Sequence, residues 1–113
     1  MSAFADVKRS FSDIVQLSVA PSSSGANTLL AAVTGRKIRV LAASISAASA
    51  VNVKFQSGTT PDISKLIYLT TGQLNVVLPY NPFGWFETAA GALLGCDLSG
   101  GVVVGMQITY VLI

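Results

Sequence analysis

The sequence predicts an all-β fold, a two-sheet antiparallel sandwich of the jelly-roll type with about eight strands. Short segments with a two-residue apolar period recur about every ten residues, and turn residues separate them. No segment keeps the period of a long helix. An immunoglobulin-like sandwich is the alternative, although the chain lacks the paired cysteines and the tryptophan spacing of that fold.

The chain divides into an N-terminal arm, residues 1–12, and a sandwich domain, residues 13–113. Phe4, Val7 and Phe11 are spaced by three and four residues, which is typical of one helix face. The apolar period changes to two immediately afterwards, so the arm and the first strand are separate units. We expect the arm to be ordered by a neighbouring molecule, because alone its apolar side chains would stay in water.

Alternation and turn residues place the strands along the domain. Val51, Val53 and Phe55 alternate strictly with polar residues and are expected inside the sandwich. The residues expected outside are Asn52, Lys54 and Gln56. A slip of one residue would bury a lysine, so the register of this strand is strongly specified. The predicted strands are 13–20, 27–33, 37–46, 51–56, 66–70, 74–78, 92–98 and 102–112.

Three local patterns refine this assignment. The alanine- and serine-rich tract 41–53 is compatible with a helix, but its β-branched residues favour strand, turn and strand. In the strand that starts at Lys37, even-numbered residues through Ala42 are expected on one face and odd-numbered residues through Ile45 on the other. Thr71-Gly72 predicts a hairpin between its flanking strands.

The composition favours a protein whose surface is covered by partners. Hydrophobic residues make up 51% of the chain and charged residues 11%, and the net charge is +2. So few charges predict a homo-oligomer, because an isolated subunit would expose apolar surface. The chain has no apolar run of about 18 residues, so no membrane association is expected. Its start lacks the pattern of a signal peptide, so it is expected to stay in the cytoplasm that makes it.

No catalytic constellation is visible in the sequence. The chain has no histidine and one cysteine, which excludes a Cys-His pair, a Ser-His pair and the usual zinc sites. Cys96 lies between Leu94 and Leu98 on one strand face and is expected to be a small buried residue. The carboxylates do not have the spacing of a calcium loop. We therefore expect no enzyme activity, no cofactor and no metal.

Residues 81–88, Asn-Pro-Phe-Gly-Trp-Phe-Glu-Thr, hold the single tryptophan and two of the five phenylalanines. The Asn-Pro pair and Gly84 supply turn chemistry, so this segment is interpreted as an aromatic corner between two β-segments. Three roles are open for Phe83, Trp85 and Phe86: packing over the end of the sandwich, contact between subunits, or a sugar-stacking platform.

Charged residues near this corner are few. Glu87 needs a partner if it is covered, and Arg36 and Arg39 are the candidates. These arginines and Lys37 form the chain's one basic cluster within the sandwich domain, and no aromatic ladder accompanies it. The cluster is interpreted as solvating the end of a hairpin, and no nucleic-acid binding is expected.

Several segments together resemble a family of small virion proteins encoded by tailed bacteriophages and prophages. They are Gly35–Leu41, Val53–Gly58, Asn81–Gly91 and Leu98-Ser99, within a similarity that covers roughly residues 28 to 113. The resemblance implies a virion structural part, and within that class a head decoration or cement protein. Such proteins are small β-sandwiches that bind the major capsid protein and trimerise on the capsid surface.

The interface candidates are Phe4, Val7, Phe11, Arg36, Arg39, Phe83, Trp85, Phe86 and Glu87. The alternative function is a carbohydrate- or host-binding module of a head or tail fibre. A decoration protein predicts that the corner is covered in the assembly, whereas a host-binding module predicts Trp85 exposed in a groove with polar neighbours.

Overall fold

The computed structural model describes residues 13–59 and 61–113, and within them it contains strands and no helix. The predicted all-β class is confirmed. The proposed arm, with Phe4, Val7 and Phe11, lies outside the described residues, so the division at residue 12 stays a prediction. The strands are β1 (Val15–Val19), β2 (Gly25–Leu30), β3 (Ile38–Ala47), β4 (Val51–Ser57), β5 (Ile67–Leu69), β6 (Asn75–Leu78), β7 (Phe86–Glu87), β8 (Leu94–Leu98) and β9 (Val104–Leu112).

The strands form two antiparallel sheets that face each other. One sheet has the order β1-β9-β3-β6, with β7 also paired to β3, and the other has the order β2-β8-β4-β5. Four of the strand pairs lie one inside the other along the sequence: β1–β9 is the outermost, followed by β2–β8, β3–β6 and β4–β5. Successive pairs in this series belong to alternate sheets, which is the connectivity of a jelly roll.

Inward-facing residues of both sheets form one apolar core. Val51, Val53 and Phe55 are buried as predicted, and Cys96 is fully buried as well. Lys54 points outward, where its Nζ lies 3.2 Å from Asp62 Oδ2. The largest fully buried side chains are Phe55, Ile38, Ile45, Leu94, Leu98 and Ile108. The tract 41–53 is strand, turn and strand, as predicted.

The predicted facing of β3 is wrong beyond its first three residues. A bulge between Val40 and Ala42 interrupts the register with β9. The extra residue reverses the alternation, so that Ala43 and Ile45 face the core while Ala42 is only half-buried. Leu41, inside the bulge, is buried too. A strict two-residue period cannot reveal such an insertion.

The predicted exposure of Gln56 is also wrong, since only 6% of the residue is exposed. The segment after β4 folds back over it, and the Ile63 amide donates to the Phe55 carbonyl at 2.9 Å. Gln56 Nε2 then donates to Asp62 Oδ1 at 3.2 Å, while the buried side-chain oxygen of Gln56 accepts no hydrogen bond from the described residues.

The predicted hairpin at Thr71-Gly72 is confirmed only as a turn. Thr70 and Gln73 exchange two backbone hydrogen bonds, of 2.8 and 3.1 Å. Beyond that bridge the flanking strands separate, because β5 pairs with β4 and β6 pairs with β3. The turn therefore carries the chain from one sheet to the other, and it leaves an open flank between the edges β5 and β6.

Candidate functional site: the aromatic corner

The aromatic corner, residues 81–88, connects two segments that pair with the same edge of β3. β6 pairs with β3 as far as Leu78, and β7 rejoins the same edge of β3 at Phe86, opposite Val40. The corner lies against the bulge in β3, where the Asn81 amide donates to the Leu41 carbonyl at 2.9 Å. The bulge supports the corner, because backbone carbonyls of the bulge accept hydrogen bonds from backbone amides of the corner.

The tip of the corner is a rigid turn. The Asn81 side-chain oxygen accepts from the Phe83 amide at 3.0 Å, and the Asn81 carbonyl accepts from the Gly84 amide at 2.9 Å. Gly84 has a φ of 85°, a backbone conformation that favours glycine, and a Cβ there would come within 2.5 Å of Arg39 Cγ. This geometry holds Phe83 outward at 86% exposure.

The three aromatic residues of the corner have different environments. Phe86 packs inward, with its ring centroid 4.8 Å from that of Phe55 and an interplanar angle of 30°. Trp85 is 43% exposed, and its indole N–H donates to the Pro79 carbonyl at 2.7 Å. Phe86 therefore fixes the corner to the core, whereas Phe83 and Trp85 remain available for contact with another molecule.

An apolar groove, the flank groove, runs along the open side of the sandwich beside the corner. Its volume is about 460 Å³. Its apolar walls are Ile63, Leu66, Ile67, Leu78, Trp85 and Phe86. Lys65 and Ser64 also line it. One wall thus comes from the β5 edge of one sheet and the other from the β6–β7 edge of the other sheet.

The charged group of the corner is the carboxylate of Glu87. Arg39 Nη2 and Nε lie 2.9 and 3.0 Å from Glu87 Oε1, and Lys37 Nζ lies 3.4 Å from Oε2. The hydrogen bond from Arg39 holds the pKa of Glu87 below its ordinary value of 4.5. Of the two arginines predicted as partners, Arg39 fills that role, while Arg36 donates to the Leu112 carbonyl at 2.9 Å.

Replacing Glu87 by glutamine should lower stability at neutral pH by about 0.5–1 kcal/mol, since the ion pair is about one-third exposed and screened by solvent. The folded-state pKa is lowered, so this contribution is present above pH 4.5 and is lost as the pH falls and the carboxyl takes up a proton. Melting temperatures of both proteins, measured across pH, should converge in acid. Asp13→Asn is the control; a constant difference at every pH would contradict the assignment.

Thr88 and Ser57 form hydrogen bonds at the C-terminal end of the corner, and neither was predicted from the sequence as a site residue. Thr88 is 2% exposed, and its Oγ1 accepts from the Ile38 amide at 2.9 Å while its own amide donates to the Ile38 carbonyl at 3.0 Å. Ser57 Oγ accepts from the Ala89 amide at 2.9 Å. The only sequence signal was that Thr88 closes the Asn81–Thr88 motif, since its partners lie far away along the chain.

The described residues hold no group of three or more histidine, cysteine, aspartate or glutamate side chains arranged to bind a metal ion. Across the same part of the chain, no helix is long and apolar enough to cross a membrane.

Comparisons with known proteins identify the fold. No family model matches the chain, and no curated protein matches it. The chain is similar to a chain in the acidic stable capsid structure of Helicobacter pylori bacteriophage KHP30, with a TM-score of 0.58 and 9% sequence identity. The similarity covers 88% of this chain and 90% of that chain. At this identity the likeness shows a shared fold across nearly the whole sandwich.

Proposed function

We propose that this protein is a bacteriophage virion structural protein, a capsid decoration or cement protein. In this proposal it is made in the cytoplasm of the bacterial host and binds the major capsid protein on the outer surface of the capsid as a trimer. The shared jelly roll with a chain from a phage capsid supports the virion role. The sparse charge supports assembly, because the surface of a lone subunit would be unusually apolar.

The observation that carries the proposal is the exposure of Phe83 on a rigid turn. A phenylalanine with 86% of its surface in water gains nothing from the fold of its own chain. Its backbone is held by the Asn81 side chain, so little conformational entropy is lost when a partner covers it. Tyr80, just before the corner, is exposed as well, at 51%. Preorganised aromatic side chains of this kind are typical anchors of protein interfaces.

Phe83→Ala should weaken binding to capsids by about tenfold or more and leave the melting temperature unchanged, because the side chain contacts little of its own subunit. Binding is measured by co-sedimentation with capsids assembled from the major capsid protein of the same phage. Val103→Ala is the matched control, since Val103 is 52% exposed in the loop before β9. Wild-type binding by the Phe83 variant would contradict the interface role of the corner.

The oligomeric state is measured separately, by native mass spectrometry and light scattering of the purified protein. A trimer is expected. A stable, soluble monomer that also fails to bind capsids would contradict the decoration role.

A carbohydrate- or host-binding module is the second candidate function, and one observation favours it. Trp85 lies in the flank groove with Lys65, so an exposed indole is accompanied by an ammonium group that can donate to sugar hydroxyls. Glycan binding that quenches Trp85 fluorescence and is lost in Trp85→Ala, without any change in capsid binding, would favour this candidate.

A further inference from the structure

The flank groove is open to solvent and lined mainly by apolar side chains. Leu66 and Trp85 on its opposite walls are 38% and 43% exposed, so a continuous apolar surface faces water in the isolated subunit. It belongs to the open side of the jelly roll, where strand pairing does not close the gap between β5 and β6.

The chain itself contains large apolar side chains outside the described residues. Residues 1–12 carry Phe4, Val7 and Phe11, three apolar side chains that share one face at helical spacing. The described chain begins at Asp13, two residues before β1, so the position of this segment is limited by its distance from Val15.

Strand register gives the distance from the start of β1 to the groove. Val15 pairs with Tyr110, Tyr110 pairs with Val40, and Val40 pairs with Phe86. Val15 and Phe86 therefore lie in one row at opposite edges of the same sheet. Three strand spacings separate them, a distance of about 14 Å.

This distance limits which grooves Phe11 can reach. Phe11 precedes Val15 by four residues, and four fully extended residues span at most about 14 Å. A straight path of that length would only reach the near wall at Phe86, and the real path must pass around the sheet. Phe11 therefore reaches at most the edge of the groove of its own chain, whereas a neighbouring copy can offer its groove to all three side chains at once.

We propose that residues 1–12 of one copy bind in the flank groove of a second copy, with Phe4, Val7 and Phe11 covering Leu66 and Trp85. Each subunit then gives one arm and accepts one, a head-to-tail contact that closes into a ring such as a trimer. This arm exchange rests on the proposed function only in that both require a homo-oligomer.

Trp85 reports on the occupancy of the groove, because it is the chain's single tryptophan. Replacing Phe4, Val7 and Phe11 together by serine should shift its emission to longer wavelength and dissociate the oligomer, while circular dichroism shows that the strands remain. Deleting residues 2–11 should do the same. The matched control replaces Asp6, Lys8 and Arg9 by serine and should change neither emission nor assembly. Unchanged emission in both arm variants, or the same loss in the control, would overturn the proposal.

Disulfide trapping distinguishes a second copy from the same chain. Leu66→Cys is combined in turn with Phe4→Cys, Val7→Cys and Phe11→Cys in the full-length protein. Burial raises the pKa of the Cys96 thiol to about 12, so this native cysteine stays protonated and unreactive. Covalent dimers and larger species after mild oxidation are expected. An internally linked monomer would overturn the proposal in favour of the chain's own arm, and no disulfide in any pair would overturn it altogether.

Capsid co-sedimentation separates this inference from the proposed function. Oligomers with trapped arms that do not bind capsids would refute the decoration role alone. Arm variants that become monomers yet still bind capsids would leave the decoration role intact and support arm exchange as the source of assembly.

Discussion

Replacing Phe86 by alanine should lower the free energy of unfolding by about 3 kcal/mol, the loss typical of a packed aromatic side chain. Its ring stacks on Phe55, which is fully buried in the core, and its backbone pairs with Val40. Truncation of Phe86 would leave a cavity beside Phe55 and weaken the attachment of β7 to β3.

Alanine variants of the neighbouring residues Trp85 and Phe83 provide the comparison. The free energy of unfolding of each variant is measured in urea, and its dependence on urea concentration is taken to be the same for all of them. Trp85→Ala should cost the dissociated subunit only about 1 kcal/mol, because Trp85 is 43% exposed. Phe83→Ala, the control, should change stability by less than about 0.5 kcal/mol. An equal loss for all three variants would show that the corner packs as one unit and would contradict the division of roles.

Gly95→Ala should destabilise the sandwich by about 1–3 kcal/mol, as expected for overpacking at a site that cannot relax. A Cβ at Gly95 would lie 2.9 Å from the Gly58 carbonyl oxygen and 3.0 Å from the Asn27 carbonyl oxygen. Gly95 lies in β8, an interior strand of its sheet, between β2 and β4. The two oxygens are backbone atoms of flanking segments, so they cannot move away without disturbing strand pairing.

Gly72→Ala is the matched control for Gly95→Ala. No atom lies within 4 Å of a Cβ at Gly72, so a change of less than about 0.5 kcal/mol is expected. Thermal unfolding of both variants measures the difference. If Gly95→Ala were as stable as the wild type, the strands beside β8 could move apart without loss of stability, and the prediction would be wrong.

Two exposed apolar regions are assigned to different proposed partners, one to the capsid and one to a second copy of the chain. Phe83 at the tip of the corner points away from the sandwich and suits a capsid contact, while Trp85 faces the flank groove and suits an arm from a second copy. The substitutions described above separate these roles, because Phe83→Ala leaves the groove intact and the arm variants leave the corner intact.

Local sequence patterns predicted the fold class, the approximate positions of eight strands and the inward-facing residues Val51, Val53 and Phe55 of β4. They also located the corner and its turn, and they included Arg39 among the two candidate partners of Glu87. These features follow from local patterns: alternation decides which face of a strand is apolar, and Asn, Pro and Gly decide where the chain turns.

Features that depend on pairing between distant segments became visible in the folded chain. The bulge that reverses the faces of β3, the choice of Arg39 over Arg36, and the covering of Gln56 each depend on a partner elsewhere in the chain. The flank groove depends on which sheet each strand joins after the turn at Thr71-Gly72. A local sequence pattern determines how a strand alternates, but the competition among all strands for pairing and burial determines its neighbours.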